Sequence, residues 1–190
     1  HFAFTGECGP PKGANVAHLK EKIGHLKGVV DAVNVTDNQT AVVRMASWAA
    51  STIMLQEGVE PNFQMVCRDR NRLAMMSDIL GVYAMGVRNM LCLSGDHQRF
   101  GNHPESKNVY DIDSIQLIAL VKKMRDEGKF LNDEELTPDE IRAAPSSLYA
   151  ADLVGGLDTA MAITQQAVDD DAADAVAAHE VDQALVVRDE

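Results

Sequence analysis

Four acidic side chains carry the first chemical signal in this sequence. Glu7, Asp37, Asp69 and Asp96 each close a short β-forming run, and their successive spacings are 30, 32 and 27 residues. Carboxylates gathered in one place can move a proton, stabilise a cation or hold a hard divalent metal ion. A single strand-end Asp commonly just caps the helix that follows it. Four in register, beside unusual loops, point to a site.

The loops add functional groups to these acids. Glu7 is followed by Cys8-Gly9-Pro10-Pro11, a rigid turn that fixes its carboxylate. Val35-Thr36-Asp37-Asn38-Gln39 places hydroxyl, acid and amide groups together. Cys67-Arg68-Asp69-Arg70-Asn71-Arg72 sets three guanidiniums around one acid. Ser94-Gly95-Asp96-His97 opens a stretch from Gln98 to Val109 without periodicity, which suits a lid or cofactor cover.

Bringing these groups together requires strands that all point one way. The runs Phe2–Glu7, Ala32–Asp37, Phe63–Asp69 and Asn89–Asp96 are rich in Phe, Val, Leu and Met. None shows the polar alternation of a half-exposed strand, the pattern of parallel strands covered on both faces. Helical stretches lie between them. Asn15 caps the first, which ends at Gly28; the second spans about Ala41 to Glu57 before Gly58. Asn71 opens a third that stops at Gly86, and Asp113 a fourth that stops at Gly128. Polar residue in front and glycine just past the end is helix punctuation. Strand–helix units of about thirty residues are βαβ units, whose right-handed crossovers lay parallel strands side by side. The predicted class is α/β with parallel (βα) units, four of them recognisable, and the four carboxylates fall at the carboxyl rim where both barrel and open α/β folds place their sites.

Composition narrows the setting. At 190 residues, with 46% hydrophobic and 24% charged, the chain reads as a globular domain with an appendage. Residues 1–130 hold 15 Lys+Arg against 14 Asp+Glu, whereas residues 131–190 hold 2 against 15. The expected organisation is a (βα) domain over 1–130 and an acidic, Ala-rich, mainly helical segment over 131–190. Nucleic-acid binding is disfavoured because phosphates need clustered basic charge. No apolar run reaches the roughly 18 residues of a membrane span and no signal-peptide pattern opens the sequence, so the expected location is cytoplasmic. Three cysteines without a CxxC spacing give neither a disulfide scaffold nor a zinc knuckle.

Several residues have a plainer reading. Cys8, Cys67 and Cys92 lie near the rim but read as buried free thiols. His97 and His103 read as solvent-facing loop residues, and Met75, Met76, Met85 and Met90 as core filling. The Arg68, Arg70, Arg72 triplet suits a phosphate or a partner's acidic surface, with Arg70 and Arg72 fitting flanking helix-face charges at least as well. The acidic tail reads as a solvated face.

The segments TGECGPP, VNVTDN, FQMVCRDRNR, GVRNMLCLSGD and VYDIDSIQLI, in this order, resemble methylenetetrahydrofolate reductase, closest to the branch of anaerobic one-carbon metabolism. The likeness covers about residues 2–130. It implies a TIM barrel with a flavin cofactor, FAD or FMN, that reduces 5,10-methylenetetrahydrofolate to 5-methyltetrahydrofolate. It implies Glu7 as the general acid that opens the methylene bridge and Asp96 as the aspartate near the flavin pyrimidine and the folate. Thr36, Asp37 and Gln39 fall where the family touches flavin or nicotinamide. Gln64 stands where relatives carry a flavin-contacting His, and Ser94, beside Gly95, replaces a basic residue of some relatives. Tyr110 and Asp111 match positions along the ribityl and phosphate region. Electrons would come from a nicotinamide or from an iron–sulfur partner subunit, in an oligomer or complex.

Chemistry supports that assignment on its own terms. Ring opening needs a proton on N10, and a carboxylic acid donates one near neutrality when burial beside another carboxylate raises its pKa. An ionised Asp96 then stabilises the cationic iminium.

Past Asn132 the resemblance ends, and four parallel strands alone make a half-barrel with open edges. The expectation is that part of the natural chain lies outside this sequence. The alternatives are closure by a second copy or another subunit, or a shortened paralogue without catalysis. Two other functions fit the residues: a divalent-metal lyase or aldolase using the rim carboxylates, and a non-catalytic paralogue whose acidic tail binds a partner.

Overall fold

A computed structural model describes residues 4–137. Four strands, β1 (Thr5–Cys8), β2 (Ala32–Val35), β3 (Pro61–Val66) and β4 (Asn89–Leu93), form one sheet in the order β1-β2-β3-β4. All three pairings are parallel, and the four helices α1 (Val16–Leu26), α2 (Ser47–Gln56), α3 (Arg72–Ala84) and α4 (Ser114–Glu127) alternate with the strands. Sequential βα units therefore build the α/β arrangement expected, with every strand's carboxyl end at one rim. The expected acidic helices lie outside the described residues from 138 onward.

Local chemistry places the helices. Asn15 accepts from the N–H groups of Ala17 and His18, and Asn71 accepts from that of Ala74. Asp113 forms a reciprocal capping box with Gln116. Gly128, at φ +64°, ends α4 in the left-handed region that glycine enters without strain. The second helix departs from expectation. It starts at Ser47, not near Ala41, because the chain ahead of it is tied elsewhere. The Met45 N–H donates to the Pro11 carbonyl (2.8 Å) and the Arg44 N–H to Asn38 Oδ1 (3.0 Å), leaving only a short 3-10 turn at Gln39–Ala41.

β1, β2 and β3 alternate, which corrects the reading of two apolar faces for them; β4 is apolar on both, with Leu91 and Leu93 toward the cleft and Met90 and Cys92 toward the helices. On the helix side, Cys8, Val33 and Val35 pack with Leu19, Ile23, Ala50 and Met54. Phe63, Met65 and Cys67 pack with Met75, Val82, Leu117 and Leu120. On the opposite side stand Thr5 and Glu7 of β1, Asn34 and then Thr36 after β2, and Gln64 of β3. The helix-covered layer holds the sheet by apolar burial, and the other face is left free to carry polar groups. Met75 is fully buried, but Met85 is 38% exposed and is not core filling. The chain continues to pack beyond 130: Leu136 is buried, and Lys129 and Glu135 form an antiparallel bridge.

Candidate functional site

The polar face and the loops at its carboxyl end enclose a cleft of about 480 Å³. Its walls include Glu7, Thr36, Asp37, Gln39, Gln64, Gly95 and Asp96, so seven of the predicted site residues surround one space. That volume lies within the roughly 300–1,000 Å³ of small-molecule and cofactor sites. Ser94, Tyr110 and Asp111 do not line it.

Glu7 and Asp96, from opposite edges of the sheet, are held by neighbouring residues of one turn. Gln39 Nε2 donates to Glu7 Oε1 at 3.5 Å, and the Thr40 N–H donates to Asp96 Oδ2 at 3.1 Å. Glu7 is exposed to the cleft and not enclosed, contrary to the buried acid expected. The turn is strained: Asn38, Thr40 and Ala41 have φ of +45°, +55° and +56°. Non-glycine residues in this region cost about 1–3 kcal/mol each and concentrate where a site needs an unusual backbone.

The other two strand-end acids serve the frame. Asp37 is buried; its Oδ2 accepts from the Val66 N–H at 3.0 Å and from Arg70 Nη1 at 2.6 Å, and its Oδ1 accepts from Arg70 Nη2 at 3.3 Å. Arg70 also donates to Asp78 at 3.0 Å, so it is a partly buried tie and not the solvated helix-face charge expected. Asp69 takes two bonds of 2.7 Å from Arg68 and one of 3.2 Å from Asn38. Burial pushes the Asp69 carboxyl up, but Arg68's hydrogen bonds and charge, helped by Asn38 and Arg70, outweigh it and hold the group below the usual range.

Arg68, expected within an arginine triplet for a phosphate or an acidic partner, spends its guanidinium on the protein's own loops. It is buried and reaches three loops: Asp69 after β3, the Asp96 carbonyl at 2.9 Å after β4, and the Asn38 carbonyl at 3.3 Å after β2. Asn34 and Asn62 join the site without having been among the expected residues. Asn62 Nδ2 donates to Asn34 Oδ1 at 2.6 Å across the polar face. Polar residues two apart, Asn34 with Thr36 and Asn62 with Gln64, were the signal that one face of each strand points to a site.

The residues outside the cleft buttress it. Tyr110 Oη donates to the Gly95 carbonyl at 2.9 Å, and burial pushes its phenol up, with Arg68 opposing. Ser94 Oγ meets Ser114 Oγ at 3.3 Å, on the helix side. Asp111 accepts from the Arg72 N–H at 2.9 Å and its Nε at 2.8 Å, and those bonds hold its carboxyl down to about 2. His97 and His103 are exposed, as expected. Cys8, Cys67 and Cys92 are free thiols, all pushed up by burial, Cys67 to about 12. Among the described residues, no three His, Cys, Asp or Glu side chains are grouped so that they could share a metal ion. No helix among them is long and apolar enough to cross a membrane.

The cleft thus offers amide and hydroxyl donors and acceptors along one wall, a reachable carboxyl at one edge and an amide-held carboxylate at the other. Residues 1–132 match the family model described as methylenetetrahydrofolate reductase. No curated protein matches the sequence.

Proposed function

With residues 1–132 matched, the chain belongs to the methylenetetrahydrofolate reductase family, and from that premise we propose that its cleft binds a flavin and reduces 5,10-methylenetetrahydrofolate to 5-methyltetrahydrofolate. The observation that carries this reading is that Glu7 and Asp96 open onto the same cleft.

The donor set suits a flavin head group. An isoalloxazine pyrimidine edge presents an N–H and two carbonyls, so it needs both acceptors and donors. Gln64 and Gln39 offer amides, and Thr36 offers a hydroxyl whose Oγ1 is buried without a partner. A buried hydroxyl left unpaired costs about 1–3 kcal/mol, which a ligand accepting from or donating to it relieves. Gly95, at φ +88°, brings its backbone close to Val66 with no side chain between. FAD and FMN share this head group, so these residues suit either one. We assign Thr36, Gln39, Gln64 and Gly95 to holding it. Asp37 keeps the Thr36 segment against β3 through Arg70 and Val66, while Ser94, Tyr110 and Asp111 support the outer shell of the cleft.

When bound, the flavin supplies the hydride that the methylene carbon receives. Glu7, as a carboxylic acid, gives its proton to N10 of the folate, and the bridge then opens. Its exposure lets substrate reach it, and the Gln39 amide orients it. Asp96, with Thr40 N–H on Oδ2, remains an acceptor at the far edge, where its charge stabilises the cation formed by ring opening. Positioned acids of this kind typically contribute 10²- to 10⁴-fold in rate. The electron donor is a nicotinamide or an iron–sulfur subunit, in an oligomer or complex.

The test is direct. The purified chain is titrated with FAD and with FMN, and absorbance near roughly 450 nm is followed through a desalting step. Retained yellow colour, with reoxidation of the reduced protein by methylenetetrahydrofolate, is the expected result. Failure to retain either flavin, with activity gained on adding Mg²⁺ or Mn²⁺, would transfer the site to metal-dependent lyase chemistry.

A further inference from the structure

Glu7 and Asp96 come from strands at opposite edges of the sheet, yet one pair of adjacent residues, Gln39 and Thr40, touches both. Whatever fixes that turn fixes the relation between the two carboxylates. The turn's own sequence does not: three of its four residues from Asn38 to Ala41 sit in the left-handed region, and none is glycine. Its first residue, Asn38, is tied to Arg68, Asp69 and the Arg44 N–H, and the Thr40–Ala41 part is held from the segment after β4. Gly101 lies so close to the turn that a Cβ built on it would fall 1.8 Å from the Ala41 carbonyl oxygen and 2.5 Å from its carbon. The backbone at Gly101, φ −96°, is open to any residue, so glycine is required here for space alone. Beside it, Asn102 Oδ1 accepts from the Val43 N–H at 3.1 Å, which pins the far end of the turn. Two bonds and one close packing contact thus run between residues 40–43 and 96–102, arching over β3 from β2 to β4.

We infer that Gly101 and Asn102 are positioning residues for the reaction, holding the strained Gln39–Thr40 turn so that the Thr40 amide reaches Asp96 and the Gln39 side chain reaches Glu7. The catalytic assignment of Glu7 and Asp96 rests on the function proposed above; the mechanical link does not. A methyl group at 101 forces the turn away by more than an ångström to reach ordinary contact. Displacements of that size cost reactions on the order of 10²-fold. Removing the Asn102 side chain deletes a single exposed hydrogen bond, so its effect is smaller while the fold is retained.

The experiment uses the 15N-labelled full chain and the variants Gly101→Ala, Asn102→Ala and Asp96→Ala. Amide resonance position and hydrogen exchange are read at Thr40. In the parent protein the Thr40 amide, bonded to Asp96, is expected to exchange slowly; Asp96→Ala is expected to remove that protection and move its resonance. Gly101→Ala is expected to reproduce this displacement and loss, and Asn102→Ala to give a partial version of both. Steady-state kinetics of the flavin-loaded proteins accompany the spectra. A roughly 100-fold fall in kcat for Gly101→Ala is expected, and a smaller fall for Asn102→Ala, with flavin retained. Should Gly101→Ala fail to fold, Asn102→Ala decides. A Thr40 amide and a kcat that are unmoved in Asn102→Ala, and in Gly101→Ala where it folds, overturn the inference. A parent protein that neither holds flavin nor turns over the folate defeats the proposed function, while the Thr40 spectra still judge the link.

Discussion

Replacing Arg70 by methionine isolates the central tie of the carboxyl rim. The Asp37 side chain is 1% exposed and that of Arg70 15%. Arg70 makes two of the three hydrogen bonds to Asp37 and also bonds Asp78. The variant leaves a buried carboxylate with the Val66 N–H as its remaining partner. Removing one member of a buried pair costs about 3–5 kcal/mol, because the survivor stays charged and dry. With a urea slope of about 2 kcal/mol per molar, that lowers the unfolding midpoint by roughly 2 M. The assay is urea unfolding followed through the single tryptophan, Trp48. Asp37→Asn in the Arg70→Met background is expected to recover part of the loss, since a neutral amide is cheaper to bury. A cost below about 1 kcal/mol, the range of exposed ion pairs, refutes the argument. So does a double variant no more stable than Arg70→Met alone.

Three further outcomes follow from the same geometry. Cys67, pushed up to about 12 by burial and then by the Asp113 charge, keeps its proton where an unfolded thiol with the ordinary value of 9.0 has lost it. Folding stability from this source is constant below pH 9 and declines as pH rises toward 12, which denaturant titrations across that range will show. At pH 8 the native chain is expected to react slowly with a thiol reagent at Cys8 and Cys67, and all three cysteines to react once it is unfolded. Asp111, held down to about 2 by Arg72, contributes stability that is present above 3.8 and lost as pH falls toward 2; its carboxyl resonance is expected to titrate near 2 and to return toward 3.8 in Arg72→Ala.

Much of the frame is legible in the sequence because it is written locally. Asn15, Asn71 and Asp113 cap helices through bonds to residues two or three positions away, and Gly128 ends one by its own torsion angle. The convergence of Glu7 and Asp96 is legible too, since parallel strands admit only one rim. Partners more than about thirty residues apart are not. Nothing near Arg70 announces Asp37, which lies 33 positions earlier, so a buried tie reads as a surface charge. Residues 41–46 carry helix-compatible types, yet long-range bonds to Pro11 and Asn102 draw them out of the helix. Asn34 and Asn62 are hidden differently, since they sit among apolar strand residues and only counting by twos separates the faces, while Arg68 stands in a run of charges that does not show which of them is buried. Glu7 reads as a buried acid from its rigid loop, but the loop fixes its direction without covering it.

Proton delivery by Glu7 is tested most directly by a single turnover of the Glu7→Gln variant. The flavin-loaded protein is reduced by dithionite, mixed with methylenetetrahydrofolate, and watched for return of the oxidised flavin band. Flavin content and reduction are expected to match the parent protein while reoxidation slows by about 10²-fold or more. Reoxidation at the parent rate would show that Glu7 does not deliver the proton, and the cleft would lose the residue on which its reductase chemistry is built.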